Sequence, residues 1–288
     1  MKAGKMPEGD TIYRAARTLN RALAGQVVTG FETQLPQLSR VDVDQPLKGR
    51  TVDHVDSNGK WLRVYFSGDL ILITHMLMSG SWHIYRPGER WQRPRLQMRV
   101  AIYTGPFTAV AFQVPIAEFH SSASFSRHRS VLSVGPDVLA TEFNAALAVE
   151  NIRSRPDLEV GEALLRQHLL AGIGNVFKSE ICFASSVNPF RLVGSLSDSE
   201  IGALIDSARK FLVANIAEES GDRILTYTGM RRTTGRSDPS ARLWVYKRSG
   251  EPCRRCSAPI VSQKQGEGAR VTFWCPNCQK MERVSSSK

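Results

Sequence analysis

The sequence predicts an α+β chain of several domains: an N-terminal β-sandwich with one helix packed on it, a helical domain, and a small C-terminal β-hairpin. Three observations lead there. From Gln26 to about Val131 the apolar residues come in short, strand-like runs separated by turn residues. Beyond Gly135-Pro136-Asp137 the apolar spacing becomes helical. Near the C-terminal end, four of the five cysteines form two Cys-x2-Cys pairs.

Length and charge bound the function. With 288 residues, one large or two ordinary domains are expected. The 38 Lys and Arg against 27 Asp and Glu give a net charge of +11, which favours a polyanionic partner, nucleic acid before membrane surface. No apolar run is long enough to span a bilayer and residues 1–10 lack a signal-peptide core, so the cytoplasm is the expected compartment and no membrane partner is expected. Five cysteines in such a chain do not make a disulfide scaffold.

In chain order, residues 1–5 form a polar extension. Met6-Pro7-Glu8-Gly9-Asp10 then opens a helix whose apolar face is Ile12, Ala15, Ala16, Leu19 and Leu23, with Gly25 suited to stop it. Pro and acidic residues favour first turns, so this stretch also reads simply as a helix start. If Met6 initiates and is removed, however, Pro7 carries a secondary amine able to attack carbon and form an iminium, with Glu8 beside it to move protons. The positive end of the helix dipole would disfavour its ammonium form. Strands are expected at Gln26 to Val28, Arg50 to Val55, Trp61 to Phe66 and Leu70 to Met76, then at Trp82 to Tyr85, Arg99 to Tyr103 and Phe107 to Phe112. Asn58-Gly59 is a hairpin-turn signal and puts Lys60 just past an exposed tip. His75 reads as a core histidine, and the histidines show no metal-ligand spacing. Leu77 and Met78, before Ser79-Gly80, are large apolar groups at a turn, able to fill the space of an extruded base.

In the second half, helices are expected at Asn144 to Ile152, Glu162 to Leu170 and Val176 to Ala184. A longer one starts at the Ser197-Asp198-Ser199-Glu200 capping box and runs through Ile201, Leu204, Ile205, Ala208, Phe211, Leu212 and Ile216. Gly172-Ile173-Gly174-Asn175 is either a tight helix–helix turn or a phosphate clamp built from free helix amides, the Asn175 amide and Lys178. A loop from Gly229 to Ser240 leads to a short strand at Leu243 to Tyr246. Cys253, Cys256, Cys275 and Cys278 have the spacing of one closed, structural zinc site. Between them, Ala258 to Ser262 and Ala269 to Trp274 form a hairpin presenting Arg270 to a phosphate. Cys182, in an apolar stretch, is an inert core thiol.

Taken together, these motifs resemble the bacterial formamidopyrimidine-DNA glycosylase and endonuclease VIII family, over nearly everything from Met6 to Lys280. Pro7-Glu8-Gly9 is similar to the family's catalytic N-terminus, Asn58-Gly59-Lys60 to its lysine loop, Gly172 to Glu180 to its helix-two-turn-helix motif, and Gly250 to Gln279 to its zinc finger, with Arg270 as the DNA-contacting arginine. The resemblance implies domains at 6–131 (catalytic, β-rich), 132–230 (helix-two-turn-helix), 231–248 (linker) and 249–282 (zinc finger), with a disordered tail at 283–288. It implies a monomeric base-excision glycosylase and AP lyase acting on double-stranded DNA with a damaged base or abasic site. The flipped nucleoside would enter between the domains, Pro7 would form a Schiff base with the sugar, Glu8 would donate a proton, and β,δ-elimination would follow. Lys60, Asn175, Lys178 and Arg270 would hold the DNA backbone, and Leu77 and Met78 would fill the void.

Within the family, Phe112-Gln113-Val114-Pro115 stands where the 8-oxoguanine-directed branch carries an Arg-Phe-Gly wedge. That absence, with the loop Arg231 to Ser240, is similar to the endonuclease VIII side and implies oxidised pyrimidines. Arg166 falls where an acidic residue is common. The alternative is a non-catalytic binder of damaged DNA, because residues 1–5, if retained, bury the Pro7 nitrogen in a peptide bond. A zinc-ribbon RNA or ribosome binder fits the charge and cysteines but leaves Pro7-Glu8 unexplained.

Overall fold

The computed structural model describes residues 7–127, 133–217, 231, 233–234 and 241–281. The chain divides into two compact units, with the boundary between Ser133 and Val134.

The first unit begins with helix α1, Gly9–Leu23. The expected stripe is fully internal: Ile12, Ala15, Ala16, Leu19, Ala22 and Leu23 are all buried. Gly25 follows with φ +77°, a left-handed conformation that ends the helix at little cost only for glycine. Two four-stranded antiparallel sheets follow. One has the order β1-β6-β7-β5, from Val28–Thr33, Met98–Thr104, Thr108–Phe112 and Ser81–Tyr85. The other has the order β2-β3-β4-β8, from Val52–Asn58, Trp61–Phe66, Leu70–His75 and Ile116–His120. Strand β3, at its expected place, alternates: Leu62, Val64 and Phe66 point into a core shared with Val100, Ile102, Ala109 and Ala111 of the facing sheet and with α1. Truncating one of these side chains, Leu19→Ala for example, would cost about 2–5 kcal/mol. Strand β4 is buried on both faces. Short helix α3, Ser122–Phe125, brings Phe125 over Ile71 and Ile73 on its outer side.

Two elements differ from expectation here. Helix α2, Pro36–Asp44, was not anticipated; it buries only Leu38, so its sequence carries almost no periodic signal. The turn between β2 and β3 consists of Gly59 and Lys60 themselves, closed by the Asn58–Trp61 pair, so Lys60 sits in the tip and is half-buried rather than exposed.

The second unit holds helices α4 (Ala145–Arg153), α5 (Val160–Ala163), α6 (Asn175–Ala184) and α7 (Asp198–Ala217). Asn144 caps α4 through the Leu147 amide. The capping box before α7 is reciprocal: the Glu200 amide donates to Ser197 Oγ at 3.2 Å, and the Ser197 amide donates to Glu200 Oε2 at 2.8 Å. The helix expected at Glu162 to Leu170 shrinks to α5 followed by turns. There Gln167 spends its carboxamide on the Leu165 and Ile173 carbonyls and the Gly172 amide, shaping the turn into α6. Arg166 pairs with Glu162 and reaches Glu267 at 4.0 Å. The hairpin strands are β9, Val261–Gln265, and β10, Arg270–Trp274. The first starts three residues later than expected. The hairpin falls in the same compact unit as the helices. Among the described residues no helix is long and apolar enough to cross a membrane.

Candidate nucleic-acid interface and metal centre

Pro7 lies directly before α1 and is buried. Glu8 is the N-cap: its carbonyl accepts from the Thr11 and Ile12 amides at 2.9 and 3.1 Å, while its side chain makes no cap hydrogen bond. The Glu8 side chain is 0% exposed, at the head of the helix beside Pro7. Asp10, also fully buried, is held by Thr11 and by Arg14 at 3.3 Å.

At one end of the β2-β3-β4-β8 sheet, the register pairs Trp61 with His75. The Lys60 tip and the turn after β4 therefore lie at the same end. Leu77 and Met78 are 45% and 49% exposed there, while Met76 is buried. Leu77 has φ +45°, and its amide donates to His75 Nδ1 at 3.1 Å. At Gly80, an added Cβ would stand 2.6 Å from the Met76 carbonyl oxygen, so the turn closes only around glycine. His75 thus braces the turn that presents the two apolar side chains, a role sequence reasoning missed because a contact to a backbone amide two residues away leaves no spacing signal.

Burial, reinforced by the Lys60 charge, pulls the His75 pKa from 6.5 down to about 4. The ring is therefore neutral near pH 7. Its Nδ1 accepts from Leu77, so Nε2 carries the proton and is the donor. His83, largely buried and hydrogen-bonded to Ser81 at 2.9 Å, is likewise pulled down to about 4. The unfolded chain takes up these protons near pH 6.5 and the folded chain only near 4. The resulting stability is fully present above 6.5 and is lost as pH falls toward 4, by up to roughly 3 kcal/mol for His75. His75→Asn keeps an acceptor for the Leu77 amide and does not titrate. Denaturant melts across that window should show a shallower acid limb for this variant, and an unchanged limb would assign the titration elsewhere.

In the second unit, Gly172 takes φ +97° and Gly174 is the N-cap of α6. The expected clamp residues behave differently from one another. Asn175 is 7% exposed, and its Nδ2 donates to the Val271 carbonyl on β10 at 2.8 Å. Lys178 is 0% exposed, and its Nζ donates to Thr272 Oγ1. Lys178 is therefore no surface cation: a direct phosphate contact would require an exposed ammonium, and α6 turns this one into the hairpin. Arg270, the first residue of β10, is exposed.

Glu180 was expected only as the end of a motif, yet its carboxylate accepts four hydrogen bonds. Its Oε1 accepts from the Val245 and Tyr246 amides at 2.9 and 2.8 Å, and its Oε2 accepts from the Trp244 amide at 2.7 Å and from Thr233 Oγ1. Burial pushes this carboxyl up and the four donors oppose the shift. The strand expected at Leu243 to Tyr246 is absent for this reason: those amides serve a carboxylate instead of a sheet ladder. Of the loop Arg231 to Ser240, only residues 231, 233 and 234 are among those described.

The four C-terminal thiols lie within 4.8 Å of one another. Cys253 and Cys278 sulfurs are 3.9 Å apart, and those of Cys256 and Cys275 are 3.4 Å apart. A tetrahedron with Zn–S bonds of about 2.3 Å has edges of about 3.8 Å, so the donor set fits zinc. The Arg255 and Cys278 amides donate to Cys253 and Cys275 sulfurs at 3.4 and 3.5 Å, as thiolate knuckles require. Four protein ligands leave no open position, so the ion's contribution is structural. Arg255 donates to the Phe183 and Ala184 carbonyls at the end of α6 and lies 4.3 Å over the Phe183 ring. Cys182, buried with its thiol pushed up to about 12, is inert.

Comparison with known proteins bears on all three parts. Residues 6–114 match the formamidopyrimidine-DNA glycosylase N-terminal domain, residues 134–226 the formamidopyrimidine-DNA glycosylase H2TH domain, and residues 250–280 a zinc finger found in FPG and IleRS. A Streptomyces coelicolor protein described as probable endonuclease 8 2 is 41% identical over 277 residues, 95% of this chain and 94% of that one. A Mycolicibacterium smegmatis protein, DNA-(apurinic or apyrimidinic site) lyase Nei2, is 34% identical over 95% of this chain and 99% of its own. Lactococcus lactis Fpg, solved with abasic-site DNA, superimposes with a TM-score of 0.79 at 23% identity, over 95% of this chain and all of that one.

Proposed function

The chain belongs to the formamidopyrimidine-DNA glycosylase and endonuclease VIII family, and from this premise we propose that it is a base-excision DNA glycosylase and AP lyase using the Pro7 nitrogen as nucleophile. The observation that carries the reading is the buried Pro7-Glu8 pair at the head of α1. The Pro7 amine attacks C1′ of the damaged nucleoside, and the C1′–N bond to the base breaks. Glu8 protonates O4′, which opens the sugar and leaves an iminium between Pro7 and C1′. The iminium acidifies C2′; loss of that proton expels the 3′ phosphate, and a second elimination expels the 5′ phosphate. Lys60, the amides at the head of α6 around Asn175, and Arg270 hold the DNA backbone; Leu77 and Met78 fill the space the extruded base leaves. Zinc holds the β9–β10 hairpin in shape and takes no part in the chemistry. The partner is double-stranded DNA carrying a damaged base or abasic site, met in the cytoplasm by a monomer.

Oxidised pyrimidines are the preferred substrates in this reading. Phe112 and Val114 are fully buried and Gln113 accepts from Arg93 at 2.9 Å, so residues 112–114 offer no side chain as a wedge. Side-by-side excision assays should show thymine glycol or dihydrouracil removed faster than 8-oxoguanine opposite cytosine; the reverse order would move the enzyme to the other branch. Borohydride trapping on abasic-site DNA tests the enzymatic reading itself, because a non-catalytic damage binder yields no covalent adduct.

A further inference from the structure

Three side chains of α6, at spacing i, i+3 and i+4, bond three consecutive residues of β10. Asn175 Nδ2 donates to the Val271 carbonyl at 2.8 Å, Lys178 Nζ donates to Thr272 Oγ1, and Ser179 Oγ accepts from the Phe273 amide at 3.3 Å. This spacing is one face of a helix. The two elements run side by side in the same direction, so the residue before Val271 falls at the N-terminal end of α6. That residue is Arg270. On a strand, residues two apart share a face, so Arg270 projects on the face where Thr272 meets α6.

The middle rung continues into the hairpin. Thr272 Oγ1 accepts from Lys178 and donates to Gln265 Oε1 at 2.7 Å. Gln265 Nε2 donates to Glu159 Oε2 at 2.9 Å and to the Pro189 carbonyl at 2.8 Å. Gln265 is the direct cross-strand partner of Arg270. Lys178, Thr272 and Gln265 are 0%, 0% and 6% exposed. A buried lysine is costly and is usually better replaced by an apolar side chain where only stability matters. Its retention among directional partners points to a positional task.

We propose that Lys178 is a positioning residue: through Thr272 and Gln265 it fixes β10 against α6, so that the Arg270 guanidinium and the head of α6 meet neighbouring DNA phosphates as one preset unit, while Lys178 itself never touches DNA. The proposal rests on the phosphate role given to Arg270 above. It makes a fully buried pair control an electrostatic property of the surface.

The test uses the full chain, undamaged duplex DNA, and the salt dependence of binding measured by fluorescence anisotropy, with zinc content measured for every variant. Arg270→Ala is expected to flatten the slope of log K against log salt by about 0.9, one phosphate contact, or about 3.5-fold less affinity change between 50 and 200 mM salt. Lys178→Met/Thr272→Val removes both members of the Lys178–Thr272 bond at similar volume and leaves Gln265 Oε1 without its donor. It is expected to flatten the slope equally and to add nothing in the Arg270→Ala background. Thr272→Ser, which keeps the hydroxyl, should retain the wild-type slope. If Arg270→Ala flattens the slope and the double variant does not, Lys178 is structural only; if their losses add, Lys178 makes its own contact. Either result overturns the proposal. If Arg270→Ala leaves the slope unchanged, the phosphate role of Arg270 fails first and the positioning role falls with it. Should the double variant not hold zinc, Ser179→Ala removes two neutral hydrogen bonds, the one accepted from the Phe273 amide and the one donated to the Asn175 carbonyl; its affinity loss must vanish in the Arg270→Ala background, and an equal loss in both backgrounds overturns the proposal.

Discussion

Cys275→Ser is expected to abolish zinc binding, reduce DNA affinity to that of a generic basic protein, and leave the β-sandwich folded. A structural zinc contributes about 10–16 kcal/mol of binding free energy, as much as or more than the whole stability of an ordinary domain. The effect cannot stay inside the finger. Gln279, fully buried, accepts from the Cys275 amide at 2.9 Å and donates to the Val187 carbonyl at 2.8 Å, and Asn188 donates to the Gln279 carbonyl at 2.8 Å. Arg255 closes the end of α6 from the other knuckle. Loss of the ion therefore frees both ends of the contact that holds Arg270. The core of the first unit is drawn from residues 12–117, in α1, α2, the two sheets and their connections. Three tryptophans (Trp61, Trp82, Trp91) report on the sandwich and two (Trp244, Trp274) on the second unit. Single-tryptophan versions should show a red shift only for the latter pair. Purified protein without zinc, or a Cys275→Ser variant that binds DNA as tightly as the parent, would refute the structural role.

What the sequence disclosed follows from how each feature is encoded. The α1 stripe, the strand at Trp61 to Phe66, the helix opening at Asn144 and the Ser197–Glu200 box are local patterns, and the structure contains each of them. Helix α2 escaped notice because it buries one residue, and the expected strand at Leu243 to Tyr246 because its amides are claimed by a carboxylate more than sixty positions earlier. The same limit governs the site. Cys-x2-Cys pairs and Asn58-Gly59 are legible because the chemistry sets their spacing. Lys178 read as a phosphate ligand because charge is visible in a sequence and direction is not: the face of α6 it occupies is decided by which strand packs there. His75 reads only as a core histidine and Glu180 only as the end of a motif for a related reason, since their partners are backbone amides, which every residue has.

The largest expected effect concerns the Pro7 nitrogen. Joined to residue 6, it is a tertiary amide whose lone pair is delocalised into the carbonyl and cannot attack C1′. Neither the buried Glu8 nor the helix dipole can restore that lone pair. The competent form is therefore expected to begin at Pro7, produced when synthesis starts at Met6 and the methionine is removed. Two proteins decide the matter: one starting at Met6, and one carrying residues 1–5 with Met6→Ala to block internal initiation. Intact mass must first confirm that one begins at Pro7 and the other retains its extension. Both are then incubated with abasic-site DNA and borohydride. The first should give a covalent adduct readily, and the second less by a factor on the order of a thousand or more, the scale of losing one member of a catalytic unit. Undamaged-duplex affinity should differ little between the two, because Lys60, the head of α6 and Arg270 are the same in both. Equal trapping by the two proteins would transfer the nucleophile to an internal lysine. Absence of trapping in both, with duplex binding retained, would leave the chain a binder of damaged DNA without the chemistry.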